Sequence, residues 1–202
     1  MIISTPLDLP KIAPDSWEVF WKIWNQYACN LVKVRKNINL SKSPIGKNNA
    51  WKGFDIYKPL NLPTAWDAPF YDIKYDLPKL YQSILNLPFK YIHRVRIVSS
   101  LLSIGSHTDD NTDKWAVRAF LKHDDPDSQW YFTAPIPNDV NKQFLQMPSD
   151  TNWFAYNDKH CWHGTIFNPK YPKILVQLFM LSNPIDIVNT NIEKYPDYII
   201  KL

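Results

Sequence analysis

The stretch Tyr91-Ile92-His93-Arg94-Val95-Arg96-Ile97-Val98-Ser99-Ser100-Leu101-Leu102 opens on Tyr and carries two Ile and two Val, the composition of a β-strand. Shorter apolar or aromatic runs follow it at 115–121, 130–133, 153–156 and 174–181. Turn-forming residues separate them at 109–113, 124–128, 135–138 and 168–172. Several short strands at this spacing predict an antiparallel sandwich or barrel.

Upstream of this stretch the pattern is helical. Asp15 is placed to cap a helix, with Glu18 three residues on in the manner of a capping box. Trp17, Phe20, Trp21, Trp24, Ala28 and Leu31 then recur at spacings of three and four, one apolar face directed to a core. A second helix is predicted over 77–87, with Pro78 in its first turn and Leu77, Leu80, Tyr81 and Leu85 as its apolar side. Between the two, from Asn37 to Asp76, Lys, Asn and Pro dominate around scattered aromatics, which predicts a long functional connection. Helices first and strands afterwards give a mainly β chain with flanking helices, an α+β class.

Composition narrows the function classes. The 202 residues suit one domain, and the 45% hydrophobic content supports a real core. The net charge is +4, but its lysines are scattered and form no basic block, so no nucleic-acid partner is expected. No apolar run approaches the roughly 18 to 20 residues that cross a bilayer, and the Met-Ile-Ile-Ser-Thr-Pro start lacks signal-peptide character. Cys29 and Cys161 have neither metal nor redox spacing. A cytoplasmic protein with no membrane partner is the expectation.

Gly105-Ser106-His107-Thr108-Asp109 follows directly on the long strand. On an extended chain His107 and Asp109 point to one side, so an imidazole and a carboxylate can reach the same metal. The third ligand comes from His160 or His163 in Lys159-His160-Cys161-Trp162-His163-Gly164. Two His and one carboxylate with open opposite positions suit non-haem Fe(II). A second His-x-Asp, at His123, stands before Asp-Asp-Pro-Asp and reads as a turn, so His107 is preferred.

The order His107-x-Asp109, Arg118, His163, Lys173 resembles the 2-oxoglutarate- and Fe(II)-dependent dioxygenases, and is similar more narrowly to their aspartyl/asparaginyl β-hydroxylase-like branch. The resemblance covers about residues 87–181. It implies His107, Asp109 and His163 as metal and catalytic residues. It also implies a basic residue about ten positions after the distal His for the far carboxylate of 2-oxoglutarate; Lys173 stands there relative to His163, which selects His163 over His160. Arg118 matches the branch's arginine for the near carboxylate, although Phe120 replaces the His that often stands two positions later. Ser103 and Asn168 are further candidate contacts to the co-substrate.

What the resemblance implies overall is a double-stranded β-helix (jelly-roll, cupin-like). Residues 1–86 would pack on it as helices and loops, 87–182 form its core, and 183–202 form a C-terminal extension of a single domain. The cofactors would be Fe(II) and 2-oxoglutarate, and the activity hydroxylation of a protein side chain or small metabolite. The Asn37–Asp76 segment, with Trp115 and Trp130 near the mouth, would shape the substrate pocket. The rival readings are a cupin-type metalloenzyme without 2-oxoglutarate and a non-enzymatic jelly-roll binding or virion module. The sequence says nothing of oligomeric state.

Overall fold

The computed structural model describes residues 1–33, 51–60, 62, 66–108, 115–123, 130–133, 142–157, 162–170 and 173–201. The elements in chain order begin with β1 (Ile2–Pro6), α1 (Trp17–Tyr27), β2 (Cys29–Asn30), β3 (Val32–Lys33), β4 (Trp51–Tyr57), β5 (Trp66–Asp67) and α2 (Pro78–Leu85). The β-rich stretch follows as β6 (Ile92–Ser100), β7 (Ile104–His107), β8 (Trp115–Lys122), β9 (Trp130–Thr133), β10 (Gln143–Phe144), β11 (Trp153–Asn157), β12 (Trp162–Thr165) and β13 (Ile174–Met180). A helix α3 (Ile185–Asn191), a 3-10 turn at Pro196–Tyr198 and β14 (Ile200–Lys201) complete it.

Two sheets carry the fold. The larger has eight strands in the order β14-β1-β11-β8-β13-β6-β4-β2, the smaller four in the order β10-β9-β12-β7, and β3 with β5 makes a separate pair. Their ladders are antiparallel throughout. The chain crosses repeatedly between the two sheets: β6, β8, β11 and β13 lie in the large one, and β7, β9, β10 and β12 in the small one.

Alternation along the strands divides the interior in two. Val95, Ile97, Val117, Ala119, Leu121, Ala155, Val176 and Leu178 join Phe20, Ile23, Trp24, Leu80 and Ile84 of α1 and α2 in one core cluster. Phe120, Phe154, Tyr156, Leu175 and Val98 point the other way and pack with Trp130 and Phe132 of β9 in a second. The large sheet is therefore the middle layer, with helices on one face and the small sheet on the other.

Several expectations are corrected. Ser16, not Asp15, caps α1: its Oγ accepts a 3.4 Å hydrogen bond from the Val19 N–H. The Asp15 carboxylate instead accepts from the Lys79 and Leu80 N–H groups at 2.9 and 3.0 Å, capping the first turn of α2 from 64 residues upstream. Glu18 pairs with Lys22 on the exposed side. The first helix stops at Tyr27, and Leu31 belongs to the second core cluster. In α2 Leu80 and Ile84 are the buried positions, while Leu85 is exposed.

The predicted Asn37–Asp76 connection holds a seven-residue strand, β4, paired with β6. Gly53 there admits the neighbouring strand closely: a Cβ would lie 2.2 Å from the Ile97 carbonyl oxygen. The helices-then-strands order is likewise incomplete, because β1 enters the large sheet between β11 and β14. No helix among the described residues is long and apolar enough to cross a membrane.

Candidate functional site

The space between the two sheets is where the sequence's polar candidates meet. His107 on β7 and His163 on β12 are direct cross-strand partners. Their rings lie side by side, centroids 4.4 Å apart and planes inclined by 49°. Both residues are buried, His163 completely so. The Gly105 carbonyl lies 2.9 Å from Nδ1 of His107 and accepts its proton, which leaves Nε2 as the lone-pair nitrogen.

Gly164 lets β12 approach its neighbours. A Cβ there would lie 2.4 Å from the Tyr131 hydroxyl and 2.5 Å from the Ile104 carbonyl oxygen. Gly105 has open space at the equivalent point. Of the two glycines flanking the His pair, only Gly164 is demanded by packing.

Lys173 is 1% exposed, immediately before β13. Its ammonium donates to the Thr165 hydroxyl and, at 2.9 Å, to the Ile166 carbonyl. Thr165 follows His163 by two on β12, so the lysine reaches across from the large sheet to the strand that carries the imidazole. A buried ammonium needs such partners.

Arg118 is buried on β8, its guanidinium carbon 4.7 Å from the Trp130 ring centroid and 5.1 Å from that of Tyr156. The same two rings flank His163: Trp130 is stacked on it at 5.4 Å and 11°, and Tyr156 is tilted against it at 4.7 Å. Through these aromatics Arg118 and His163 share one neighbourhood. Trp130 is interior rather than at a mouth, and Trp115 is buried in the helix-facing core, so neither stands where the sequence placed it.

The remaining candidates have local partners. The Ser103 hydroxyl accepts from the Phe167 N–H at 3.0 Å, and the Asn168 side-chain oxygen accepts from the Lys170 N–H at 3.0 Å, closing a turn. His123 lies flat on Phe120, rings 4.4 Å apart and 15° from parallel. Asp109, His160 and Cys161 lie outside the described residues. Among the described residues no three His, Cys, Asp or Glu side chains gather closely enough to hold a metal, so the structure assembles two imidazoles of the proposed triad.

One feature of the same interior was not foreseen. The register aligns Phe154, Arg118, Gln177, Arg96 and Asp55 in one row across the sheet, from β11 to β4. At its end the fully buried Asp55 carboxylate receives Arg94 Nη1 at 2.8 Å and Arg96 Nε at 2.6 Å. Arg94 also donates to the Leu62 carbonyl at 2.7 Å, tying the segment after β4 to the sheet. Burial pushes the Arg94 pKa down, and the Asp55 charge works against that shift. The signal was there: Arg94 and Arg96 are two of only four arginines, two apart on a strand whose other residues are mostly apolar.

No family model and no curated protein matches the chain. Among solved structures, a crystal structure described as an oxidoreductase of the 2OG-Fe(II) oxygenase family from Burkholderia pseudomallei is similar over 81% of this chain and 78% of that one, with 12% identity and a TM-score of 0.43. A likeness this distant carries no assignment by itself.

Proposed function

We propose that the chain is an Fe(II)- and 2-oxoglutarate-dependent dioxygenase, a hydroxylase of an amino-acid side chain or small metabolite, built on a double-stranded β-helix. The observation that carries the reading is the cross-strand pair of buried imidazoles, His107 and His163, with the buried Lys173 ammonium held on the same strand two residues past His163. The strand orders β11-β8-β13-β6 and β10-β9-β12-β7 support the β-helix, since they alternate between two facing sheets as a double-wound jelly roll does.

In this reading His107 and His163 supply neutral nitrogen ligands, and Asp109, two residues past His107, supplies the carboxylate. The donor set fits the metal: the Gly105 carbonyl holds His107 in the tautomer that presents Nε2, an orientation of the kind that fixes metal-bound histidines elsewhere. Lys173 binds the far carboxylate of the co-substrate, and Arg118 the near one. Ferrous iron and the keto acid together supply the activation of O₂. The protein's own part is to hold a dianion against buried cations and to keep water out with Trp130, Phe132, Phe154 and Tyr156.

The test is an anaerobic titration of the metal-free protein with Fe(II) and then 2-oxoglutarate, followed by visible absorption. A weak charge-transfer band appearing only with both present is expected. Iron binding without the band points instead to a metalloenzyme that uses no keto acid. No iron binding overturns the ligand assignment and leaves a non-enzymatic binding module.

A further inference from the structure

Trp130 carries a polar atom with no partner among the described residues. The side chain is 1% exposed, and its indole Nε1–H is buried with no acceptor among the described residues. Buried indole N–H groups nearly always find an acceptor, because an unmet donor in a low-dielectric interior costs its full desolvation. This donor lies inside the candidate site: one ring stacks on His163 and underlies the Arg118 guanidinium. β9 and β12 fix that ring by register, Trp130 opposite Thr165 and Phe132 opposite His163. Phe154 and Tyr156 close on it at 6.0 and 6.2 Å. Packing, not a hydrogen bond, therefore sets the ring's place, and its edge donor is held ready.

We propose that the Trp130 Nε1–H is a ligand-binding donor: together with the Arg118 guanidinium it forms a two-donor seat for a carboxylate oxygen beside His163. The ligand class is a small carboxylic acid. The proposal rests on the dioxygenase reading in that the keto acid of that reaction is the natural occupant, with Trp130 holding its metal-proximal carboxylate. Arg118 supplies charge from above the indole, and Trp130 supplies direction in the plane of the ring. An uncharged, rigid donor next to a guanidinium fixes how the carboxylate is turned, which a lone cation on a flexible stem does not.

The variant is Trp130→Phe, which keeps an aromatic ring in the stack and removes the N–H. Thermal unfolding of the metal-free protein should shift down only modestly, because deleting an unmet donor offsets part of the cost of the cavity that the smaller ring leaves. Calorimetric binding of 2-oxoglutarate to the protein loaded with Mn(II), which binds the site without turnover, should weaken about tenfold, the equivalent of about 1.4 kcal/mol. Unchanged affinity, whatever the midpoint, overturns the proposal and makes Trp130 a packing residue only.

The unaltered protein provides a second measurement. Of its nine tryptophan indole N–H resonances, one should move strongly downfield when Zn(II) and 2-oxoglutarate are added. If none moves while the ligand binds, the donor role fails and the dioxygenase reading survives. If the wild-type protein binds Mn(II) and succinate but not 2-oxoglutarate, and Trp130→Phe weakens succinate, the seat stands and the dioxygenase reading falls. If no carboxylate binds, both fall.

Discussion

The two faces of the eight-stranded sheet are made of alternate residues of the same strands, yet they differ sharply in chemistry. On the face toward α1 and α2, β6 presents Val95 and Ile97, β8 presents Val117, Ala119 and Leu121, and β13 presents Val176 and Leu178. On the face toward the small sheet the same strands place Arg94, Arg96, Arg118 and Gln177 among Phe120, Phe154 and Tyr156. The first face needs only apolar burial and shape. The second buries charge, which the loss of hydration opposes and which only paired groups or a ligand make tolerable. Apolar packing and buried charge are thus separated by the pleat, residue by residue, rather than by region of the chain.

The comparison breaks most violently at Asp55. Asp55→Ala leaves two buried guanidinium groups without their shared carboxylate, and urea unfolding should show a loss of about 3–5 kcal/mol. Next is His163→Ala, for which Fe(II) affinity should fall by about a hundredfold or more while the far-ultraviolet circular dichroism spectrum stays that of the wild type. Lys173→Met should follow, weakening 2-oxoglutarate binding by about 1.5–3 kcal/mol, the range for hydrogen bonds to a charged group. Unfolding of that variant should show little loss without ligand, since a buried ammonium is replaced by an apolar chain of similar length. On the opposite face, Ile97→Val should cost about 0.5–1.5 kcal/mol and leave metal and keto-acid affinities untouched. A change in either affinity there would mean the two faces are not independent.

The smallest effect lies on the helix side. Tyr71 donates to the Asp76 carboxylate at 2.7 Å, and that bond raises the phenol pKa from 10.0 to about 12. The protonated phenol is favoured in the folded chain, so its contribution is present below about pH 10 and is lost as pH climbs towards about 12. Tyr71→Phe should flatten the alkaline decline of stability in that window, measured by urea unfolding at a series of pH values.

What the sequence disclosed follows the same division. The strand runs were legible because β-branched and aromatic residues cluster in them; the predicted 115–121 and 153–156 differ from β8 and β11 by one residue at one end. His107 and His163 were singled out by their residue types and Lys173 and Arg118 by the family resemblance, and the fold brings the two imidazoles into contact. β4 was illegible because Lys52, Gly53 and Asp55 are poor strand formers taken alone. Their reasons lie forty residues on, in the close approach of Ile97 and the guanidiniums of Arg94 and Arg96. Asp15 failed likewise: a capping box is a local pattern, and the N–H groups it serves belong to α2. Trp130 looked like any core aromatic, since an unmet donor exists only once its neighbours are placed.

The positions of the two histidines within their sheet have a consequence for motion. His163 sits on β12, which has a hydrogen-bonded neighbour on each side, whereas His107 sits on β7, the terminal strand of that sheet. Terminal strands open first, because fewer bonds hold them. An ion gripped by both rings would clip the loose strand to the firm one, so amide exchange at 104–107 should slow on metal binding far more than at 162–165. The strand that brings the first imidazole would then be a latch, shut by the ion it helps to hold.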